Sequence, residues 1–215
     1  MMAGSKFLED ANAALTLAAQ SGPRRALFLD RDGVINVDRG YVHTKENTEW
    51  LPGIFDLCRV AIADGLLLVV VTNQAGIARG LYSESEFIAY TQWMHEEFSR
   101  NEAPLLATYF CPHHPVAGIG KYLVHCQCRK PAPGMIVDAA ERYGIILAKS
   151  SLIGNRGSDI EAGVAAGIGQ SILLEDSYNK NFVEDGMLKV GSLEAAKGLL
   201  KGPESLHARS ISVCQ

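Results

Sequence analysis

The hydrophobic positions of the chain fall into short continuous apolar runs. A parallel strand buried on both faces has this pattern, so we predict strands over Ala26–Leu29, Leu66–Val71, Ser151–Ile153 and Gln170–Leu174, with weaker ones at Leu105–Phe110 and Met187–Val190. Three of these runs stop directly at polar or glycine residues, namely Asp30, Thr72-Asn73 and Gly154-Asn155. Polar groups at strand ends are the first indication of a ligand site.

Segments with helical periodicity separate the runs. The clearest follows Ser83, which forms a capping box with Glu86 and precedes apolar residues at helical spacing. Further helices are predicted over Ile54–Ala63, Gly134–Tyr143 and Asp159–Ala166. The alternation indicates an α/β fold, a doubly wound parallel sheet, and such sheets bind ligands at the carboxyl ends of their strands.

The length of 215 residues fits one sizeable domain. Residues 1–24 carry no aromatic residue apart from Phe7 and end at the breaker Ser21-Gly22-Pro23, so we expect an N-terminal extension, with one helix. The α/β domain is predicted over residues 25–200, followed by a polar tail over residues 201–215.

Composition narrows the choice of partners. Apolar residues make up 47%, so the chain can build a packed core, and the formal net charge of -4 argues against electrostatic binding of nucleic acid or anionic lipid. Glu9 and Asp10 interrupt the start where a secretory signal would be apolar, and no apolar run approaches the roughly 20 residues of a membrane span. We expect a cytoplasmic protein that binds a small phosphorylated molecule.

The first candidate site is the loop Asp30-Arg31-Asp32-Gly33. Two carboxylates one residue apart follow a buried strand, and Gly33 permits a tight turn. Such a pair suits phosphoryl transfer, in which Asp30 attacks phosphorus and Asp32 moves the proton. Magnesium is expected, because it offsets the repulsion between an anionic nucleophile and an anionic phosphate. A plain polar loop is the alternative explanation of this pattern.

Two later segments offer phosphate-binding groups. Thr72 and Asn73 bring a hydroxyl and backbone amides to a strand end, and Arg129 and Lys130 place two cations in a loop that continues with Pro131. Alone, the first pair is more often an ordinary turn and the second a solvated surface. These segments indicate phosphate binding because they occur together with Asp30.

Three of the five cysteines cluster in one segment. The spacing of Cys111-Pro112-His113-His114-Pro115 and Cys126-Gln127-Cys128 lets two short knuckles converge on one tetrahedral ion. We assign zinc to Cys111, His113, Cys126 and Cys128, with His114 and His125 as alternatives to His113. A closed site of four ligands would be structural, and it would hold the loop that carries Arg129 and Lys130.

The segment Phe28–Val34 resembles the first motif of the haloacid dehalogenase superfamily. The resemblance implies a phospho-aspartyl intermediate on Asp30, with Asp32 as general acid and base. It also implies that Thr72 and Lys130 bind the phosphoryl group. Asp30 and Asp32 would then hold magnesium as well.

The segment Gly154-Asn155-Arg156-Gly157-Ser158-Asp159 resembles the fourth motif of the superfamily, where an acidic residue after the glycine binds magnesium. Here that position is Asn155, whose carbonyl oxygen can coordinate the ion but brings no charge. We therefore expect weaker magnesium affinity, with Asp159 as a further ligand that compensates.

Over residues 27–167 the chain is similar to the D-glycero-D-manno-heptose 1,7-bisphosphate 7-phosphatase family. The segments that carry the resemblance are Asp30–Asp38, Arg39–His43, Thr72–Gly80 and Cys111–Pro115. It implies a sugar bisphosphate substrate, with Arg156 placed to meet the second phosphate. The expected substrate-binding residues are Asp38, Arg39, Gly40, Tyr41, Asn73, Gln74, Arg129 and Arg156.

Two other functions remain open at this point. Histidinol-phosphate phosphatases share the nucleophile loop and a similar zinc site, but the long segment 116–125 and the motif Arg39–His43 favour the heptose family. A zinc-containing binding module with weakened catalysis is the second alternative, because of Asn155. No insertion is long enough for a cap domain, so we expect a minimal cap formed by loops and a monomeric protein.

Overall fold

A seven-stranded sheet forms the centre of the molecule. The structure, a computed structural model, describes residues 4–11, 13–14, 22–176, 183 and 186–200. Its strands are β1 (Lys6–Glu9), β2 (Arg25–Leu29), β3 (Leu66–Asn73), β4 (Ala107–Cys111), β5 (Ser151–Gly154), β6 (Gln170–Leu174) and β7 (Met187–Val190). Every strand predicted from the sequence is present, within one or two residues of its expected ends.

The strand order is β1-β4-β3-β2-β5-β6-β7. All neighbours are parallel except β1 and β4, which are antiparallel. The carboxyl ends of β2, β3 and β5 therefore lie side by side at one edge of the sheet, where the sequence places Asp30, Thr72 and Asn155. This topology confirms the predicted doubly wound sheet.

Helices cover both faces of the sheet. They are α1 (Ile54–Ala63), α2 (Ala75–Ala78), α3 (Glu84–Arg100), α4 (Gly134–Tyr143), α5 (Gly157–Ala166) and α6 (Leu193–Leu199), with 3-10 turns at Lys45–Asn47, Gly120–Tyr122 and Leu147–Lys149. Ser83 caps α3 with the predicted capping box. One apolar cluster packs α1, α3 and α6 on one face, and a second packs α4 and α5 on the other. The site thus sits on strand ends that are fixed from both sides.

The N-terminal extension differs from the expectation. The sequence predicts one helix in this extension and no strand, but Lys6–Glu9 is a strand that pairs with β4, with Lys6 opposite Phe110. Phe7 stacks on Tyr109 with ring centroids 5.2 Å apart, and this cross-strand aromatic contact stabilises the pairing. Helical residues follow at 11, 13 and 14, but most of the predicted helix lies outside the described residues, as does the tail over residues 201–215.

Within the part of the chain that the structure describes, none of the helices combines the length and the apolar character that crossing a bilayer requires.

Candidate active site

A cleft opens where β2, β3 and β5 end. Its volume is about 350 Å³. The lining residues, which define the cleft, are Asp30, Asp32, Asp38, Gly40, Tyr41, Thr72, Asn73, Gln74, Ala75, Tyr82, Lys130, Arg156, Ser158 and Asp159. The carboxylates, the threonine and the lysine that the sequence assigned to chemistry therefore share one concave surface.

Lys130 lies at the floor of the cleft between two carboxylates. Its Nζ donates to Asp30 Oδ1 at 2.8 Å and to the carbonyl oxygen of Val71 at 2.7 Å, and it lies 2.7 Å from Asp159 Oδ1. An ammonium group has three hydrogens to donate, so all are engaged. The second oxygen of Asp159 accepts the backbone N–H of Arg156 at 2.9 Å. Both carboxylate oxygens of Asp159 thus have protein partners, and the residue holds Lys130 beside Asp30.

Burial gives these groups unusual proton affinities. Removal from water raises the pKa of Asp30 to about 7, with a further rise from the charge of Asp159 and an opposing effect of Lys130. Burial lowers the pKa of Lys130, but Asp159 and Asp30 raise it more, so Lys130 remains an ammonium ion. The lysine is therefore a fixed positive charge directly beside Asp30.

Arg31 supports the candidate site, and the sequence alone assigned it no role. It is fully buried, and its guanidinium lies 5.4 Å and 5.3 Å from the ring centres of Phe87 and Tyr90. Its Nη2 donates to both oxygens of Asp32, at 2.9 and 2.7 Å, and to the carbonyl oxygen of Val42. Arg31 therefore orients Asp32 and ties the neighbouring loop to it. A charged residue between two aspartates was the available signal.

Thr72 is oriented by a short chain of hydrogen bonds. Tyr82 donates its hydroxyl hydrogen to Gln74 Oε1 at 2.6 Å, and Gln74 Nε2 donates to Thr72 Oγ1 at 2.8 Å. Because Thr72 Oγ1 accepts from Gln74, its own hydrogen is directed elsewhere. Gln74 is 1% exposed, so its side chain supports Thr72 rather than offering a surface to a sugar. Tyr82 had no signal in the sequence.

Asn73 also has a supporting position. Its Oδ1 accepts the backbone N–H of Lys130 and its Nδ2 donates to the carbonyl oxygen of Lys130, both at 3.0 Å. This two-way amide contact fixes the loop of Lys130 to the end of β3. The side chain assigned to substrate binding is thus engaged with the backbone of Lys130.

The segment Asp38–Tyr41 forms one wall of the cleft. Asp38 Oδ2 accepts from Arg156 Nη2 at 3.0 Å, which closes an ion pair across the opening. Tyr41 is exposed, with Arg79 5.8 Å from its ring centre. Arg39 departs from the expectation, because it forms an ion pair with the exposed Glu49 and is absent from the cleft lining.

Oxygen donors suited to a hard cation follow the neighbouring parallel strands β2 and β5, although Asn155 is absent from the cleft lining. Asp30 and Asp32 supply carboxylates, and the buried Asn155 supplies an amide oxygen, which is the ligand type that magnesium prefers. Gly33 makes room for Asn155, since a Cβ atom at position 33 would lie 2.1 Å from Asn155 Nδ2. Gly33 also has φ +86°, a conformation that favours glycine. The residues present therefore fit a magnesium ion.

The cysteine cluster consists of Cys111, His113, Cys126 and Cys128, whose ligand atoms all lie within 4.8 Å of one another. Neighbouring sulfur atoms are 3.3 and 3.5 Å apart, and His113 Nδ1 lies 3.4 and 3.6 Å from two of them. A tetrahedral zinc site with ordinary bond lengths has edges of about 3.6–3.8 Å. The donor set therefore fits zinc.

The alternatives to His113 do not join the cluster. His114 Nδ1 accepts the backbone N–H groups of Val116 and Ala117, and the exposed His125 lies outside the group of ligand atoms. Within the cluster, the hydrogen bond from Cys128 lowers the pKa of Cys111 to about 6 while burial opposes it. Cys111 therefore readily supplies a thiolate.

The cluster is joined directly to the cleft. Cys128 precedes Arg129 and Lys130, and Arg129 Nη1 donates to the carbonyl oxygen of His113 at 3.1 Å. On its other side, Lys130 is fixed to Asn73. The loop of Lys130 is thus held between the cysteine cluster and β3. Arg129 is half-buried and is absent from the cleft lining.

Known proteins resemble this chain in sequence. A family model described as HAD-hydrolase-like matches residues 127–185. The D-glycero-beta-D-manno-heptose-1,7-bisphosphate 7-phosphatase of Vibrio cholerae serotype O1 is 48% identical over 149 residues, or 69% of this chain and 80% of that protein. The D-glycero-alpha-D-manno-heptose-1,7-bisphosphate 7-phosphatase of Burkholderia mallei is 51% identical over 152 residues, or 71% and 80% of the two chains.

The fold has a close counterpart among solved structures. D,D-heptose 1,7-bisphosphate phosphatase from B. bronchiseptica, complexed with magnesium and phosphate, matches with a TM-score of 0.71 and 30% identity. The match covers 82% of this chain and 97% of that chain. Sequence and fold thus indicate the same relatives.

Proposed function

This chain belongs to the D-glycero-D-manno-heptose-1,7-bisphosphate 7-phosphatase family of HAD-like hydrolases, and we propose that it removes the 7-phosphate from that sugar bisphosphate. The observation that carries the proposal is Asp30 at the end of the central strand, with Lys130 at 2.8 Å and Asp32 one residue away. A nucleophile, a fixed cation and a proton carrier are the groups that phosphate ester hydrolysis through a covalent intermediate requires.

In the first half of the reaction, a carboxylate oxygen of Asp30 attacks the phosphorus atom. The bond between phosphorus and the oxygen on C7 breaks, and Asp32 gives its proton to that oxygen. The products are the sugar 1-phosphate, with a free 7-hydroxyl, and a phospho-aspartyl group on Asp30. Arg31 assists by holding Asp32 in one orientation.

In the second half, Asp32 takes a proton from water as the water oxygen attacks the same phosphorus atom. The bond between phosphorus and Asp30 breaks, inorganic phosphate leaves, and both aspartates return to their initial states. Asp32 is thus acid in one step and base in the next.

In this scheme Thr72 binds a phosphoryl oxygen, and Lys130, whose three hydrogens have protein acceptors, offsets the negative charge of the phosphoryl group. Lys130 needs a fixed place to do so, and Asp159 supplies it at 2.7 Å. We therefore assign Asp159 to the orientation of Lys130 rather than to magnesium. Gln74 and Asn73 take corresponding supporting roles for Thr72 and Lys130, while Arg156, Asp38 and Tyr41 face the rest of the substrate.

Magnesium would be held by Asp30, Asp32 and Asn155, and when bound it offsets the repulsion between Asp30 and the phosphate and stabilises charge on the transferring group. The similar B. bronchiseptica structure contains magnesium and phosphate. Zinc would be held by the cysteine cluster, where four protein ligands leave no position for water, so its role is structural.

A phosphate-release assay with three classes of substrate tests the proposal. With magnesium, the protein should release phosphate from the α and β anomers of heptose 1,7-bisphosphate much faster than from histidinol phosphate or an aryl phosphate, and leave the 1-phosphate intact. Faster release from histidinol phosphate would favour the rival phosphatase. No release from any of them would leave only the binding module.

A variant of the nucleophile provides the control for this assay. Asp30→Asn should lower kcat by at least about 1,000-fold, because an amide cannot form the covalent intermediate. Residual activity close to that of the unmodified protein would show that another residue attacks the phosphate.

A further inference from the structure

Asn155 has a charged neighbour that the sequence did not indicate. Its Nδ2 donates to Asp176 Oδ2 at 3.0 Å, and Asn155 itself is 1% exposed. Asn155 offers magnesium an oxygen without a negative charge. A carboxylate in contact with the amide can therefore change how strongly that oxygen binds the ion.

The sheet explains why the two residues meet. β5 and β6 are adjacent and parallel, with Gly154 opposite Leu173, so the residues after both strands leave the sheet at the same edge. Alternation along extended backbone places Asp176 on the same side as the buried Leu174, whereas Glu175 between them is exposed. Asp176 is therefore the carboxylate on the inner side, beside Asn155.

The contact fixes the orientation of the amide. An ionised carboxylate only accepts hydrogen bonds, so the NH₂ group of Asn155 must face Asp176 and its Oδ1 must be turned away from it. A hydrogen bond to a charged acceptor also polarises the amide and increases the negative character of Oδ1. Both effects make Oδ1 a better ligand for a cation.

We infer that Asp176 is a positioning residue for the magnesium site. Asp176 holds Asn155 by its Nδ2, leaves Oδ1 for the cation and supplies the negative charge that the amide lacks. The inference rests on the proposed function, since it assumes magnesium at Asp30 and Asn155. In this role Asp176 acts through Asn155 rather than as a ligand of the ion.

Asp176→Asn is the principal test, because it keeps an acceptor oxygen at this position and removes the charge. Magnesium alone is titrated calorimetrically into the zinc-containing protein, without substrate. Loss of a residue that orients a metal ligand weakens metal affinity by about 10–100-fold. We expect the Kd for magnesium to rise by at least about tenfold. The thermal midpoint measured without magnesium should stay the same.

Two further variants separate position from charge. Glu175→Gln removes a charge one residue away on the outer side, and it should change the magnesium Kd by less than about twofold, since exposed charges are screened. The double variant that combines Asn155→Asp with Asp176→Asn keeps the total charge and reverses the direction of the hydrogen bond. It should restore the affinity that Asp176→Asn alone loses.

Three results would overturn the inference: an unchanged magnesium Kd in Asp176→Asn, an equal loss of affinity in Glu175→Gln, or failure of the double variant to restore binding. None of them would affect the proposed function, which is judged by phosphate release from the unmodified protein. Conversely, magnesium binding that follows the expected order in a protein that releases no phosphate would support the inference and remove the function.

Discussion

Two hydrogen bonds link Tyr82, Gln74 and Thr72 in a chain. A single substitution at Tyr82 can break the first of them. Tyr82→Phe removes the donor and leaves Gln74 Oε1 buried without it. The cost is about 1–2 kcal/mol of unfolding free energy, and Thr72 loses its fixed orientation. We expect kcat to fall several-fold with KM nearly unchanged, measured by steady-state kinetics and urea unfolding.

Tyr90→Phe is the matched control, because the Tyr90 hydroxyl contacts Thr48 at 2.9 Å, outside the cleft. It should lower stability without lowering kcat. Equal kinetic effects in the two variants would mean that the chain of hydrogen bonds has no part in orienting Thr72.

Gly33 is a second position at which the structure restricts the residue type. Gly33→Ala places a methyl group 2.1 Å from Asn155 Nδ2 and holds alanine at φ +86°. Gly65→Ala has the same backbone strain, at φ +74°, with nothing within 4 Å of the new carbon. We expect Gly65→Ala to lose about 1 kcal/mol and Gly33→Ala about 2 kcal/mol more, with weaker magnesium binding in Gly33→Ala only. Indistinguishable unfolding curves would contradict the close contact.

At this scale the sequence indicates the proposed reacting groups more readily than the residues that support them. Asp30, Asp32, Thr72 and Lys130 carry short motifs, because their chemistry restricts the residue type. Arg31 and Tyr82 support them through contacts between distant segments, and such contacts leave no local pattern. For the same reason Gln74 and Asn73 were assigned to the substrate, although their amides are engaged with the protein.

At the scale of elements, the cysteine cluster determines how the loop of Lys130 is held. Removing zinc with a chelator should lower the thermal midpoint and reduce kcat/KM at least tenfold, because the loop that carries Lys130 loses one of its two attachments. Activity and metal content, measured before and after chelation, check this expectation. Freshly purified protein should contain about one zinc ion per chain.

Cys126→Ser should lose most of the zinc, while His114→Ala and His125→Ala should retain it, since only His113 faces the sulfur atoms. Full zinc content in Cys126→Ser, or its loss in His125→Ala, would show that the ligand set is wrong.

The contact of α3 with β4 should make stability depend on pH. His95 is 5% exposed, and its Nε2 lies 2.8 Å from Thr108 Oγ1. Burial lowers the pKa of His95 to about 4, with a smaller opposing effect of Asp10. An unfolded histidine titrates near pH ~6.5, so below that pH the unfolded state binds the extra proton first. The unfolding free energy should therefore fall as pH decreases from about 6.5 to 4.

His95→Gln keeps a donor for Thr108 but cannot titrate in this range. The difference in unfolding free energy between the unmodified protein and His95→Gln should shift by on the order of 3 kcal/mol between pH 7 and pH 4. Urea unfolding at several pH values measures it. Parallel pH curves for the two proteins would exclude His95 as the cause.

At the scale of the whole molecule, β1 converts the edge strand β4 into an internal one. Deleting residues 1–10 would expose the edge of β4, whose residues Ala107–Cys111 are all buried. Exposed apolar edges pair with other chains. The deletion should lower the unfolding free energy and produce concentration-dependent association in sedimentation, whereas the full chain is expected to be monomeric. Lys6→Met, which removes only the ion pair with Glu84, should remain monomeric.

The overall architecture followed from the sequence because buried parallel strands and amphipathic helices have distinct periodicities. β1 escaped prediction because four residues with mixed polarity resemble neither pattern, and only the partner strand identifies them as a strand. Neither the sheet order nor the contact between Asn155 and Asp176 could be predicted from the sequence, because both depend on which strands become neighbours.

The pairing of β1 with β4 also sets an order of events during synthesis. Lys6 leaves the ribosome about a hundred residues before its partner Phe110, as their register shows. At the usual rate of about 5–20 residues per second, the first strand waits roughly 5–20 s for an edge to join. The sheet can therefore begin to assemble from β2 and β3, and β1 joins it only once β4 has been made, while β5, β6 and β7 are still to come.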